Sequence, residues 1–135
     1  MADDIGRLRE LLQDGRCCAV ALAQLGLEMK GEKNERLLQA MSGLCGGVHD
    51  GLLCGALTGA ACLMNILDPA NANARLVQEL ARWFVDSMKE GYGGADCRDI
   101  LRDHPPDRAA RCRAIVEATY RKAREILEAD GVVFD

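Results

Sequence analysis

Between Asp4 and Ala129 the apolar residues of this chain recur every three or four positions, with no strand-like alternation before the tail at 132–134. That period belongs to helices buried along one face, because a half-buried strand needs a period of two. Ile5, Leu8, Leu11 and Leu12 set one stripe over residues 4–12, and Cys18, Leu22 and Leu25 another over 16–27. Leu37, Leu38, Met41 and Leu44 face inward over 32–44. The spacing predicts a fourth helix from near Gly51 to just before Pro69, and a fifth over 71–89 with Leu76, Leu80, Trp83, Phe84 and Met88 as its core face. A short helix over 97–102 is capped by Asp96 and stopped by His104-Pro105-Pro106. The last helix starts at Asp107 and runs to Ala129, with Cys112, Ile115, Val116, Thr119, Ala123, Ile126 and Leu127 inward. The expected fold class is all-α, a compact bundle of six or seven helices with short connections.

The 135 residues make one domain over 1–135, with no repeat, low-complexity run or linker. A chain of this size buries enough surface to fold without disulfides. Aromatic residues are scarce, at 4%, so the core rests on Leu, Ala, Val, Ile, Met and Cys. The net charge of −4 argues against nucleic acid as a partner. Arg108, Arg111 and Arg113 read as a solvated helix face. The charged start MADDIGRLRE is unlike an export signal, so a cytoplasmic location is expected. The longest uncharged run, residues 51–67, is shorter than the roughly 20 apolar residues of a membrane span, and it reads as a buried helix.

Six of the fourteen glycines fall between positions 43 and 59. Gly46-Gly47 is expected to end the third helix in a tight turn, within a Gly-rich turn over 43–51. Gly51, Gly55 and Gly59 recur every four residues, which would flatten one face of the fourth helix. Each glycine costs that helix up to about 1 kcal/mol relative to alanine. A packing reason is therefore expected: a neighbouring backbone, a ligand or a second copy of the chain in a homodimer.

Seven cysteines stand at 17, 18, 45, 54, 62, 97 and 112. In a reducing compartment such residues remain thiols, hold metal or cycle. No C-x-x-C occurs, which excludes the thioredoxin pair, the zinc knuckle and c-type haem attachment by sequence; any site must be assembled in three dimensions. Cys18 and Cys112 lie on inward faces, Cys54 heads the fourth helix, and Cys97 sits at a helix start where a thiolate is favoured. Of the vicinal pair Cys17-Cys18, only one can point into the core. The expectation is that Cys17→Ser is tolerated and Cys18→Ser abolishes the redox or metal property.

The run Cys54-Gly55-Ala56-Leu57-Thr58-Gly59, with its lead GLCGGVHDG, resembles the CGAxxG element of redox-active proteins named for their cysteine pattern, the C_GCAxxG_C_C family. The resemblance extends from about Gly15 to Leu127. It aligns Cys18 with the first family cysteine, Cys97 (after Tyr92-Gly93) with the third, and Cys112 with the fourth. Cys17, Cys45 and Cys62 stand outside the pattern. A similar domain in split-Soret-type cytochromes implies electron transfer for the family.

Three chemistries follow. The first is an electron carrier or sensor with an iron–sulfur cluster on Cys18, Cys54, Cys97 and Cys112, with Gly55 and Gly59 leaving room beside it. The second is a metal-free thiol–disulfide oxidoreductase or redox sensor using the same four cysteines, with Cys97 the best nucleophile. The third is zinc, with His49 or His104 joining the thiols. Each of the first two needs a redox protein partner. Against all three stands a helical interaction domain with inert buried thiols.

Overall fold

The computed structural model describes residues 3–134. Seven α-helices form it: α1 (Asp4–Gln13), α2 (Cys18–Met29), α3 (Glu35–Met41), α4 (Gly55–Leu67), α5 (Val77–Tyr92), α6 (Cys97–Ile100) and α7 (Arg108–Ala129). No strand is present among the described residues beyond one isolated antiparallel bridge, Leu53 with Asp96. The all-α expectation holds, and the boundaries have local causes. The Asn34 side chain accepts the Leu37 N–H at 3.0 Å, so α3 starts at Glu35 rather than near 32. A short 3-10 turn, Ser42–Leu44, follows it. One wide turn, Ala72–Leu76, leads into α5, which Gly93 ends at φ 84°. Asp107 accepts the Ala110 N–H at 2.9 Å and opens α7.

The fourth helix starts at Gly55, not near Gly51. Five of the six residues 46–51 are left-handed: Gly46 (φ 60°), Gly47 (64°), Val48 (58°), His49 (57°) and Gly51 (69°). No right-handed helix propagates through such a run. At Gly47 an added Cβ would lie 2.3 Å from the Leu52 carbonyl oxygen, so this turn closes on itself only with glycine there.

Leu8, Leu22, Leu25, Leu63, Met64, Leu80, Phe84, Val116, Tyr120 and Leu127 fill the main core. Each large apolar side chain so buried contributes about 1.5–3 kcal/mol. A carboxylate enters this region: the buried Asp4 accepts the Tyr120 hydroxyl at 2.5 Å and pairs with Arg124. These partners outweigh burial and hold the Asp4 carboxyl below its usual value.

α4 is the central helix, and α2 packs on it in the same direction. A Cβ on Gly59 would sit 2.7 Å from the Ala19 Cα, and one on Gly55 would sit 3.4 Å from the Ala19 nitrogen. Gly26 of α2 in turn faces Leu63 and Ile66. The space above the glycines is therefore occupied by a helix backbone rather than left open for a ligand or a second copy. Gly51 stands off the helix, against Arg98. Gly59→Ala should cost about 1–2 kcal/mol, because overpacking outweighs the helix-propensity gain. Gly55→Ala, in ordinary contact, should be near neutral. Thermal unfolding of the two variants checks the contrast, and equal midpoints would contradict it.

Candidate thiol site

Parallel packing puts the N-termini of α2 and α4 at one end of the molecule. Cys18 is the first residue of α2, and Cys54 is the cap residue of α4. Without Gly59 the helices would stand further apart, and so would these thiols. The segment entering α4 is pinned to the segment entering α6. The Cys97 N–H donates to the Leu52 carbonyl at 2.7 Å, and the Cys54 N–H donates to the Ala95 carbonyl at 3.2 Å. This two-bond bridge sets Cys54 beside Cys97. Arg111 ties α7 to the same place: its guanidinium donates to the Ile100 carbonyl at 2.9 Å, pairs with Asp103 at 2.6 Å and lies over the Tyr92 ring. Cys112 follows it in sequence.

The four thiols differ. Cys54 is buried, while Cys18, Cys97 and Cys112 are half-buried. The neighbouring Cys54 side chain, acting as a donor, pulls the Cys97 thiol down to about 7 against the penalty of burial; the Gly55 N–H and Arg108 assist, and Asp96 opposes. The nearness of Cys97, with burial, drives the Cys54 thiol strongly upward. Burial first, then the neighbouring Cys112 and Cys97, push Cys18 up to about 12. Burial raises Cys112 as well, and Arg108, Arg111 and Arg113 oppose it. At neutral pH the arrangement holds one thiol near its midpoint, Cys97, and its protonated partner, with two further thiols nearby.

The three remaining cysteines lie elsewhere. Cys17 and Cys45 form a disulfide, with Cα atoms 5.8 Å apart. Cys17 packs on a smaller cluster of Ala19, Ala23 and Met41, against which the Cys62 thiol also packs. The inward residue of the vicinal pair is Cys18, on the main core. The expectation that Cys17 is dispensable changes, because Cys17 is the anchor of a cross-link. Sequence spacing gave no signal for a bond between residues 28 apart.

Neither histidine joins a donor set. The His49 ring lies 2.9 Å from the Ser42 carbonyl oxygen and is exposed. Among the described residues no three His, Cys, Asp or Glu side chains are grouped closely enough to hold a metal ion. No described helix is long and apolar enough to cross a membrane.

A family model described as "Putative redox-active protein (C_GCAxxG_C_C)" matches residues 16–126. The chain belongs to this family. The matched span runs from the start of α2 through most of α7, so it contains all four thiols of the site and both segments that pin them. The CGAxxG element is the cap and first turn of α4, where Cys54 and the two packing glycines lie together. No curated protein and no solved structure matches the chain.

Proposed function

We infer that the protein is a dithiol–disulfide redox protein in which Cys97 attacks and Cys54 resolves. The observation that supports this reading most directly is the Cys54–Cys97 pair, held together by two backbone hydrogen bonds, with one thiol depressed and the other raised by their nearness. The Cys97 thiolate attacks one sulfur of a partner disulfide. That S–S bond breaks, a Cys97–partner disulfide forms, and the leaving thiolate takes a proton. With Cys97 no longer an anion, the main cause raising Cys54 is gone. Cys54 then loses its proton and attacks the Cys97 sulfur, releasing the second partner thiol. The protein dithiol is oxidised by two electrons, and the partner disulfide is reduced by two. Cys18 and Cys112, both protonated at neutral pH, line the site without competing as nucleophiles.

Oxidation by 2-hydroxyethyl disulfide, followed by peptide mapping, tests the assignment. The expected product is a Cys54–Cys97 linkage. Cys54→Ser should trap the mixed disulfide on Cys97, and Cys97→Ser should prevent oxidation of Cys54. A mixed disulfide that accumulates on Cys18 or Cys112 instead would overturn it.

A second reading has one observation in its favour. Cys112 and Cys97 lie near enough to raise Cys18, and Cys97 near enough to raise Cys112, with Cys54 beside Cys97. That convergence suits a soft-metal or iron–sulfur site and an electron carrier. The present spacing of the donors does not fit a metal ion, so the four side chains would have to draw in. Iron, zinc and sulfide assays on protein purified without oxygen distinguish the two readings.

A further inference from the structure

We propose that Cys17–Cys45 is a second redox centre of this chain, a reversible disulfide that clamps the loop on which the first thiol site is built. The disulfide joins the cap residue of α2 to the residue just before the left-handed turn. From Cys45 the chain has no slack before the site. Gly46 to His49 are all left-handed, Gly51 lies against Arg98 at the start of α6, and Leu52 accepts the Cys97 N–H. The clamped segment thus carries one half of the bridge that sets Cys54 beside Cys97.

Two observations make the bond a working one rather than a mere staple. Both sulfur-bearing residues are half-buried, within reach of a small thiol. The turn they hold keeps two non-glycine residues, Val48 (φ 58°) and His49 (φ 57°), in the left-handed region. Val48 is β-branched and 52% exposed, so only part of its side chain packs to offset its strain. Opening the bond lets these residues relax, which favours reduction and loosens the bridge.

The co-reactant is a dithiol. One of its thiolates attacks a sulfur of the Cys17–Cys45 bond; the S–S bond breaks, and the released cysteine takes a proton. The second thiol of the reductant then closes on its own mixed disulfide and frees the other cysteine. Two protein thiols and one cyclic disulfide result, a two-electron reduction.

The test is amide hydrogen exchange at Cys54 and Cys97, read by NMR. One sample carries only the Cys17–Cys45 bond, and the other is reduced with dithiothreitol. Reduction should open the bond in the folded protein and speed both amides at least ten-fold. The Cys17→Ser/Cys45→Ser double variant should match the reduced form without reductant, and adding Val48→Gly should restore part of the protection. Rates equal within two-fold in the closed and reduced wild-type protein would overturn the proposal, as would a bond that dithiothreitol opens only on unfolding. If the double variant does not fold, the wild-type comparison decides alone. Neither sample carries a Cys54–Cys97 linkage, so failure of the dithiol reading and failure of the clamp give different results.

Discussion

At pH 7 Cys97 should react with iodoacetamide about two orders of magnitude faster than Cys18. The Cys97 thiol is pulled down to about 7, whereas Cys18 is pushed up to about 12. Half of the Cys97 population is then thiolate, against about one part in 100,000 for Cys18. The more basic thiolate is the better nucleophile. With a Brønsted slope of about 0.4–0.5 that recovers a factor of about 100–300 for Cys18. A factor of at least about 100 remains with Cys97. Both residues are half-buried, so access does not reverse the order. The Cys97 rate should be half-maximal near pH 7 and fall about ten-fold per unit below it. In Cys54→Ser the thiol donor becomes a hydroxyl, and the midpoint should stay below that of an ordinary cysteine. Mass-spectrometric labelling across pH 5–10 reads both numbers; a Cys97 midpoint above 8.5 would sink the assignment.

Cys17→Ser should lower stability by about 1.5 kcal/mol. Closing a loop between residues 28 apart removes unfolded-state entropy worth about 3.5 kcal/mol. Relaxation of Val48 and His49 from the left-handed region returns about 1 kcal/mol each at the low end. The difference corresponds to a Tm lower by about 5–10 °C in a domain of this size. Thermal unfolding with and without reductant makes the comparison. The variant should unfold where reduced wild type does, and reductant should not shift it. A variant as stable as oxidised wild type would show that the disulfide carries no net stability.

Much of this architecture is legible in the residue pattern, because a helix announces its buried face locally. The stripe of Leu76, Leu80 and Phe84, which runs from the wide turn into α5, and that of Ile115, Val116, Thr119 and Ala123 in α7, face the core as their period requires. Caps are local too, and Asp107 opens α7 as its side chain dictates. The start of α4 was misplaced for an equally physical reason. Gly51, Gly55 and Gly59 share a helical spacing, but a left-handed turn also selects glycine, and composition does not separate the two uses. Cys18, Cys54, Cys97 and Cys112 were legible as candidates through helix position and family resemblance. Cys97 is marked as the best nucleophile by its place at a helix start; that Cys54 stands beside it is not legible, because that depends on which segments meet.

The helices and most of their inward faces follow from the residue pattern, since they rest on interactions within a few residues, and membership of the C_GCAxxG_C_C family follows from a match over residues 16–126. Only the tertiary structure decided that Gly55 and Gly59 serve α2, that Cys54 pairs with Cys97, and that Cys17 closes on Cys45. These are encounters between segments 28 to 43 residues apart in the two cysteine pairs. A thiol's acidity and its bonding partner are set by the atoms around it, and helix packing brings those atoms together.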